Sequence, residues 1–417
     1  SVRRARFRAA PARTRPVIAT AQTTTFEAPD VDYAGLSPII ALTAGVIVVL
    51  LAGLVGPRGN RWLSSALTLL TLAITAGLMI WRVGEPAADL VSGALRVDGL
   101  SLTIGLMCVL AAAFAVLLQL RDEAAEESGF GESHALLLGS VLGMAMIAGA
   151  QNLITFFVAL ELLSIPLYVL CGSHRMRGSS LESGLKYLIV GSLGSATLLY
   201  GMAFIYGGSG STDFTEIAAG IGPELSDDPL ILIGIALCAV GLAFKVSIAP
   251  FHQWTPDVYQ GAPSPVTGFM ASVAKAGGFA ALLRVFFSTF TTLEVDWQPL
   301  VGTLAVITLL VGSVVAIVQS DIKRMLAYSS ISHAGYILVG LQAATNQGVA
   351  SSLFYLLTYS FMALGSFAVV TIVGRRGDMN HDLESYKGLS ARRPGLALVF
   401  TVLRNVPVPA LAWLGSS

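Results

Sequence analysis

The chain has 417 residues, 54% hydrophobic and 12% charged, about half the charged fraction of a soluble domain. Lys plus Arg and Asp plus Glu both number 25, and this balance excludes the basic field that a nucleic-acid partner would require. Cys108, Cys171 and Cys238 stand singly, without CxxC or Cys/His spacing, and no GxGxxG or P-loop occurs; no metal, nucleotide, flavin or iron–sulfur site is expected on this chain.

Residues 1–36 read as a basic N-terminal extension, expected to be disordered. Arg3, Arg4, Arg6, Arg8, Arg13 and Arg15 crowd its start; an organelle transit peptide shares this composition, but an over-extended start is the simpler reading. From Ser37 onward, apolar runs of about 20 residues recur, each long enough to cross about 30 Å of hydrocarbon as a helix. They fall near 37–56, 62–81, 99–120, 134–150, 152–171, 183–206, 229–260, 264–286, 298–319, 325–342, 349–373 and 394–414. The expected fold is an all-α polytopic transmembrane bundle of about twelve spans, with no strand signal.

Basic residues are unequally divided between alternate connections. Arg58, Arg61, Arg121, Arg175, Arg177, Lys323, Arg324, Arg375, Arg376, Lys387, Arg392 and Arg393 fall on one set, whereas Arg82, Arg96 and Arg284 fall on the other. The positive-inside rule makes the first set cytoplasmic and places the N-terminus outside.

The run 229–260 exceeds one span. In GLAFKVSIAPFHQWTPDVYQGAPSPV, Pro250 lacks an N–H and clashes with the preceding turn, so the helix should break near Ser247–Pro250 and restart around Phe251. Broken backbone at membrane depth survives only inside protein or beside water, which points to an ion or substrate path.

Four charges lie where lipid or protein interior is expected: Glu161, Lys186, Lys245 and Lys275. A charge at the centre of a span costs roughly 2.5–3.5 kcal/mol. Lys186 could snorkel to the interface. Glu161, Lys245 and Lys275 could form a packing ion pair, or could pass protons by changing which partners are close. His252, just after the break, could relay a proton or cap the new helix. His333, in YSSISHAGY, reads as a member of a polar hydrogen-bond network. Asp257 and Trp254 read as structural residues of the broken element.

KVSIAPFHQWTPDVYQGAPSPV resembles the signature of antiporter-like membrane subunits of respiratory complex I and of multisubunit cation/proton antiporters. DVYQGAPSPV, with a lysine in the following helix, resembles the N-subunit branch of bacterial NADH-quinone oxidoreductases, and SDIKRMLAYSSISHAGYILVGL agrees over a second stretch. The resemblance covers roughly 37–403 and implies an antiporter-like transmembrane domain of fourteen helices. Two inverted five-helix repeats would start at the fourth and ninth spans, each with a discontinuous helix.

It further implies a translocase role, in which quinone reduction elsewhere in a complex of the bacterial cell membrane drives proton transfer through this subunit. Glu161 would be the fifth-helix glutamate, Lys186 the sixth-helix lysine, Lys245 the central seventh-helix lysine and Lys275 the eighth-helix relay. NADH, FMN, iron–sulfur clusters and quinone would belong to partner subunits, with the bilayer around them. After LALVFTV the chain departs from the pattern. Residues 404–417 read LRNVPVPALAWLGSS from Leu403, without the expected twelfth-helix lysine, so the chain by itself is expected to conduct protons poorly. Two other classes fit less of this pattern: a subunit of a multisubunit cation/proton antiporter, and a non-pumping structural homologue.

Overall fold

The structure is a computed structural model and describes residues 31–55, 61–221, 228–290, 293–374, 377–379 and 381–405. Most of the basic extension, and the atypical C-terminus from residue 406 onward, lie outside the described residues.

Two lipid-facing helices open the chain, α1 (Tyr33–Gly53) and α2 (Arg61–Trp81), and α1 is capped by Asp32, which accepts from the N–H groups of Ala34 and Gly35. A short antiparallel hairpin follows, β1 (Ala88–Leu90) and β2 (Leu95–Val97), joined in register Ala88↔Val97. The sequence carried no strand signal here, because three-residue strands are too short to show period-two alternation. Then come α3 (Gly99–Gln119), with a capping box between Asp98 and Ser101, the short α4 (Glu123–Ser128), α5 (Phe130–Gly149), α6 (Leu153–Cys171), α7 (Gly178–Ser209) and the short α8 (Phe214–Gly220).

The anticipated broken element is α9 (Pro229–Val246) followed by α10 (Trp254–Gly261). Next, α11 (Ser264–Phe269) passes through a π turn, Met270–Ala274, into α12 (Lys275–Ser288). The chain closes with α13 (Glu294–Ile317), α14 (Ile322–Gln342), α15 (Asn346–Gly374), the short α16 (Leu389–Arg392) and α17 (Pro394–Asn405).

Among the described residues, 10 helices are long and apolar enough to cross a membrane, the α11–α12 unit counted as one. The twelve expected spans correspond to these plus two others. One is α14, which has the length but carries the polar run YSSISH, and the other is α17, whose apolar part is short. Burial ranks the helices. The Ser264–Phe287 unit is 94% buried and the α5 window 83%, against 22% for Trp297–Ile317, so α5 and α11–α12 form the core and α13 meets lipid.

Without a hydrophobic drive inside lipid, helices associate through close packing of small residues. A Cβ on Gly201 of α7 would stand 2.7 Å from the Cys238 backbone nitrogen of α9; the missing side chain lets these two backbones touch.

The break is somewhat longer than expected, since the helix resumes at Trp254 rather than Phe251. Ser247 ends α9 in the left-handed region (φ 61°). The freed backbone groups find protein partners: Trp254 Nε1 donates to the Phe244 carbonyl (3.0 Å), and Ala249 N–H to Thr308 Oγ1 (3.0 Å). These contacts replace the missing helical bonds and keep the interruption ordered.

Two matching junctions mark the inverted repeat. Before α6, Leu153 N–H donates to the Thr212 carbonyl and Phe214 N–H to that of Gln151 (both 2.9 Å). Before α14, Ile322 N–H donates to the His381 carbonyl (2.8 Å) and Leu383 N–H to that of Ser320 (2.9 Å). Chain order puts these junctions on opposite faces. The second shares its face with Arg177 and Lys323, both of which pair with Asp378 (3.6 and 3.0 Å). The first shares its face with Arg96 and with Arg284, which pairs with Asp98 (2.7 Å). The structure thus has a basic-rich and a basic-poor face, as the alternation of charges predicted.

Candidate functional site

The polar site is built where α6, α7, α9 and α12 meet. Glu161 lies mid-way along α6, and Ser164 and Tyr168 follow one and two turns later on the same face. Lys245 is the penultimate residue of α9, so the break leaves its amine at the end of a helix, where the macrodipole favours a cation. Its Nζ donates to Ser164 Oγ (2.9 Å) and Tyr168 Oη (3.1 Å) and stands 3.8 Å from Glu161 Oε1. The Lys245 side chain is 8% exposed and that of Glu161 24%, so the pair is largely withdrawn from solvent.

Glu161 does not spend its hydrogen bond on the lysine. Ser195 of α7 donates to Glu161 Oε1 at 2.5 Å. Carboxylate and ammonium are therefore each held by neutral partners at a separation just beyond a direct hydrogen bond. The Tyr168 ring lies 5.7 Å beneath Lys245 Nζ and meets Tyr187 edge-on, and Tyr187 in turn stacks on Trp254. This aromatic column ties the site to the restart of the broken helix.

Lys275 follows the π turn, a local widening frequently found at functional sites. Its Nζ donates to the Ser330 carbonyl and to Ser330 Oγ (2.5 Å) and lies 5.5 Å from the Tyr359 ring centroid. It is 3% exposed, and no carboxylate pairs with it among the described residues. Gly278, one turn on, brings α12 against the end of α9: a Cβ there would meet Val246 and approach Lys245 Cβ at 3.8 Å.

Lys186 is placed apart. It sits at the basic-rich rim, half-exposed, pairing with Glu182 (2.8 Å) and with Asp257 of α10 (2.9 Å). Asp257 also binds Arg324 of α14 at 2.6 Å, so it joins the broken helix to both halves of the bundle. His252 occupies the break, its ring 6.4 Å from that of Tyr328. His333 belongs to a polar network as expected: its Nδ1 lies 2.7 Å from Tyr355 Oη, and its ring is bordered by Tyr336 and Tyr359.

Sequence reasoning missed Ser164, Tyr168, Ser195, Ser330 and Tyr359. The 161/164/168 spacing on one helical face was a usable signal for the first two; the others come from distant helices and had none.

Charged groups outside the spans complete the electrostatics. Burial opposes ionisation of Asp98, but the bidentate Arg284 fork (2.7 and 2.9 Å), its charge and the Ser101 bonds prevail, and the pKa falls below the usual carboxylate value. Asp378 is likewise held low against burial by Lys323, His381 and Ser264. Asp122, buried and beside the Asp378 charge, is pushed up to about 7.

A buried Glu/Lys pair at a broken helix, followed by a second lysine on the adjacent helix, defines a polytopic ion-translocating membrane subunit of the antiporter-like class. Residues 150–415 match the family described as NADH:quinone oxidoreductase/Mrp antiporter, TM, and the chain belongs to that family. It is 40% identical over 368 residues to NADH-quinone oxidoreductase subunit N of Trichlorobacter lovleyi, covering 88% of this chain and 75% of the relative. It is similar to a chain of respiratory complex I from Thermus thermophilus with bound aureothin at TM-score 0.73 and 37% identity, covering 88% of this chain and 77% of that one. At 23% identity the archaeal membrane-bound sulfane sulfur reductase shares the fold, with TM-score 0.81 over 92% of this chain and 80% of that one.

Proposed function

We propose that this chain is the N-type, proton-translocating membrane subunit of a bacterial NADH-quinone oxidoreductase. NADH, FMN, iron–sulfur clusters and quinone belong to partner subunits, and the basic-rich face and the N-terminus lie on the cytoplasmic and outer sides respectively. The observation that carries the reading is the poised pair Glu161–Lys245 at the helix break, with Lys275 on the abutting helix.

At 3.8 Å and an effective dielectric of about 20, the attraction between Glu161 and Lys245 is roughly 4 kcal/mol. A carboxylate that swings toward or away from Lys245 therefore changes how firmly a positive charge is held there. Ser195 offers Glu161 an alternative partner, and Ser164 and Tyr168 hold the lysine while it waits. A proton released from Lys245 can pass to a neutral Lys275, where Ser330 and Tyr359 receive the ammonium. Like charges on the two lysines repel, which favours one proton at a time. Lys186, tied to α10 through Asp257, gives the basic-rich rim a charged contact with the broken element.

The test is Lys245→Ala in the assembled complex. NADH oxidation by quinone should continue while protons moved per NADH fall, at normal levels of the subunit. Unchanged proton yield in that complex would remove Lys245 from the path.

A further inference from the structure

A cavity of about 500 Å³ opens at the basic-rich ends of α3 and α15, beside the start of α4 and Pro265 of α11. One wall is apolar, formed by Leu117 and Leu118 of α3 and Ile372 of α15. Leu117 and Ile372 are 51% and 44% exposed, so this wall continues onto the outer surface of the bundle. The rest of the lining is charged: Arg121 and Arg393 are positive, Asp122 and Glu123 negative. We propose that this cavity binds an aminophospholipid, with the phosphate at Arg121 and Arg393, the primary ammonium at Asp122, and the acyl chains leaving along Leu117 and Ile372. The inference does not depend on the proton route described above.

The charges are the first constraint on the occupant. Arg121, Arg393, Asp122 and Glu123 line one space, yet none of them forms an ion pair among the described residues. Opposite charges held apart in this way complement a ligand that carries both signs, whereas a purely anionic headgroup would meet two carboxylates. Asp378 also lines the cavity, but Lys323 and Arg177 already neutralise it (3.0 and 3.6 Å).

Asp122 is the second constraint. Its Oδ2 is buried without a hydrogen-bond partner, and burial with the nearby Asp378 charge pushes its pKa up to about 7, as befits a carboxyl group lacking a counter-charge. A primary ammonium supplies both the charge and N–H donors. A quaternary choline supplies no donor and is held by aromatic cages, and among the described residues no aromatic ring lines this cavity.

Depth is the third. Both α3 and α15 end here, at the level where headgroups meet hydrocarbon and arginine side chains snorkel. A headgroup in the cavity would tie α3 to the segment following α15. That segment already holds α7, α11 and α14 through Asp378, which meets Arg177, Ser264 and Lys323. The lipid would thus staple the opening helices to both halves of the bundle.

The test strips the assembled complex of phospholipid in detergent and returns phosphatidylethanolamine, phosphatidylcholine or phosphatidylglycerol with identical acyl chains. Heat resistance at pH 8 is followed through this subunit in the parent, in Asp122→Asn and in the double variant Arg121→Gln, Arg393→Gln. Stripped of lipid, Asp122→Asn should be more resistant than the parent, because the parent's carboxylate has no counter-charge. Phosphatidylethanolamine should close that gap by stabilising the parent. Its half-effective concentration should rise about tenfold in either variant, the loss of one charge-assisted hydrogen bond, while that of phosphatidylcholine stays unchanged. In the parent, a photoactivatable phosphatidylethanolamine should crosslink within residues 117–123 or 371–379. Equal effects of phosphatidylethanolamine and phosphatidylcholine, or equal responses of parent and variants, would leave boundary lipid only and overturn the site. A preference for phosphatidylglycerol would overturn the aminophospholipid, and equal potency of soluble glycerophosphoethanolamine would overturn a lipid occupant. Crosslinks confined to other segments would overturn the location.

Discussion

Replacing Lys275 by methionine separates what this side chain does for transport from what it does for stability. Its buried Nζ is held by Ser330 and the Tyr359 ring, without a carboxylate among the described residues. Losing hydrogen bonds from a charged donor costs about 1.5–3 kcal/mol, and losing a desolvated cation–π contact about 2 kcal/mol. Against this, holding an unpaired ammonium out of water costs several kcal/mol, on the order of 5, and methionine fills similar volume with no such penalty.

The two sides nearly cancel, so Lys275→Met should change stability by no more than about 1 kcal/mol. In a domain this large that corresponds to an apparent melting shift of about 2 °C or less. Proton yield per NADH should collapse all the same. The assay pairs thermal melting of the purified complex, followed through this subunit, with NADH-driven proton uptake by inverted vesicles. A melting drop of about 6 °C or more would mean that the Ser330 and Tyr359 contacts dominate and that Lys275 is a packing residue. A normal proton yield would refute the relay directly.

Glu161→Gln keeps the Ser195 contact possible but removes the roughly 4 kcal/mol Coulomb coupling at 3.8 Å; lower proton yield at normal subunit levels is expected, and a normal yield would make the pair structural. Arg284→Ala strands the Asp98 carboxylate at the basic-poor end of α3 and should destabilise the subunit by about 3–5 kcal/mol, read as reduced heat resistance. Because the folded pKa of Asp98 lies below its unfolded value of 3.8, this contribution is present above that pH and is lost on acidification through the folded value. The gap between parent and variant should narrow there. Asp122 has the opposite sign: its folded pKa of about 7 exceeds the unfolded 3.8, so ionisation opposes folding progressively from pH 4 to 7. Asp122→Asn should therefore raise heat resistance at pH 8 and leave it unchanged at pH 4, and equal gains at both would assign the effect to something other than charge.

The spans were legible because a membrane helix is specified by local properties: about 20 apolar residues, polar connections and a bias in basic charge. Pro250 marked the break for the same reason, since a missing N–H acts on its own turn wherever the helix goes. Glu161, Lys245 and Lys275 stood out because charge inside an apolar run is costly in any packing arrangement. Their partners depend on helix rotation and register, which only tertiary packing decides. Ser195 reaches Glu161 from α7, Ser330 reaches Lys275 from α14, and Asp257 divides its carboxylate between Lys186 and Arg324.

The sequence therefore determined which groups could carry charge across the membrane interior. Packing decided that Glu161 and Lys245 meet at 3.8 Å, that Lys186 stays at the rim, and that His333 Nδ1 lies 2.7 Å from Tyr355 Oη. Hydropathy is a property of single residues summed along a helix, whereas a proton path is a set of distances between helices, and those distances exist only once the bundle has closed.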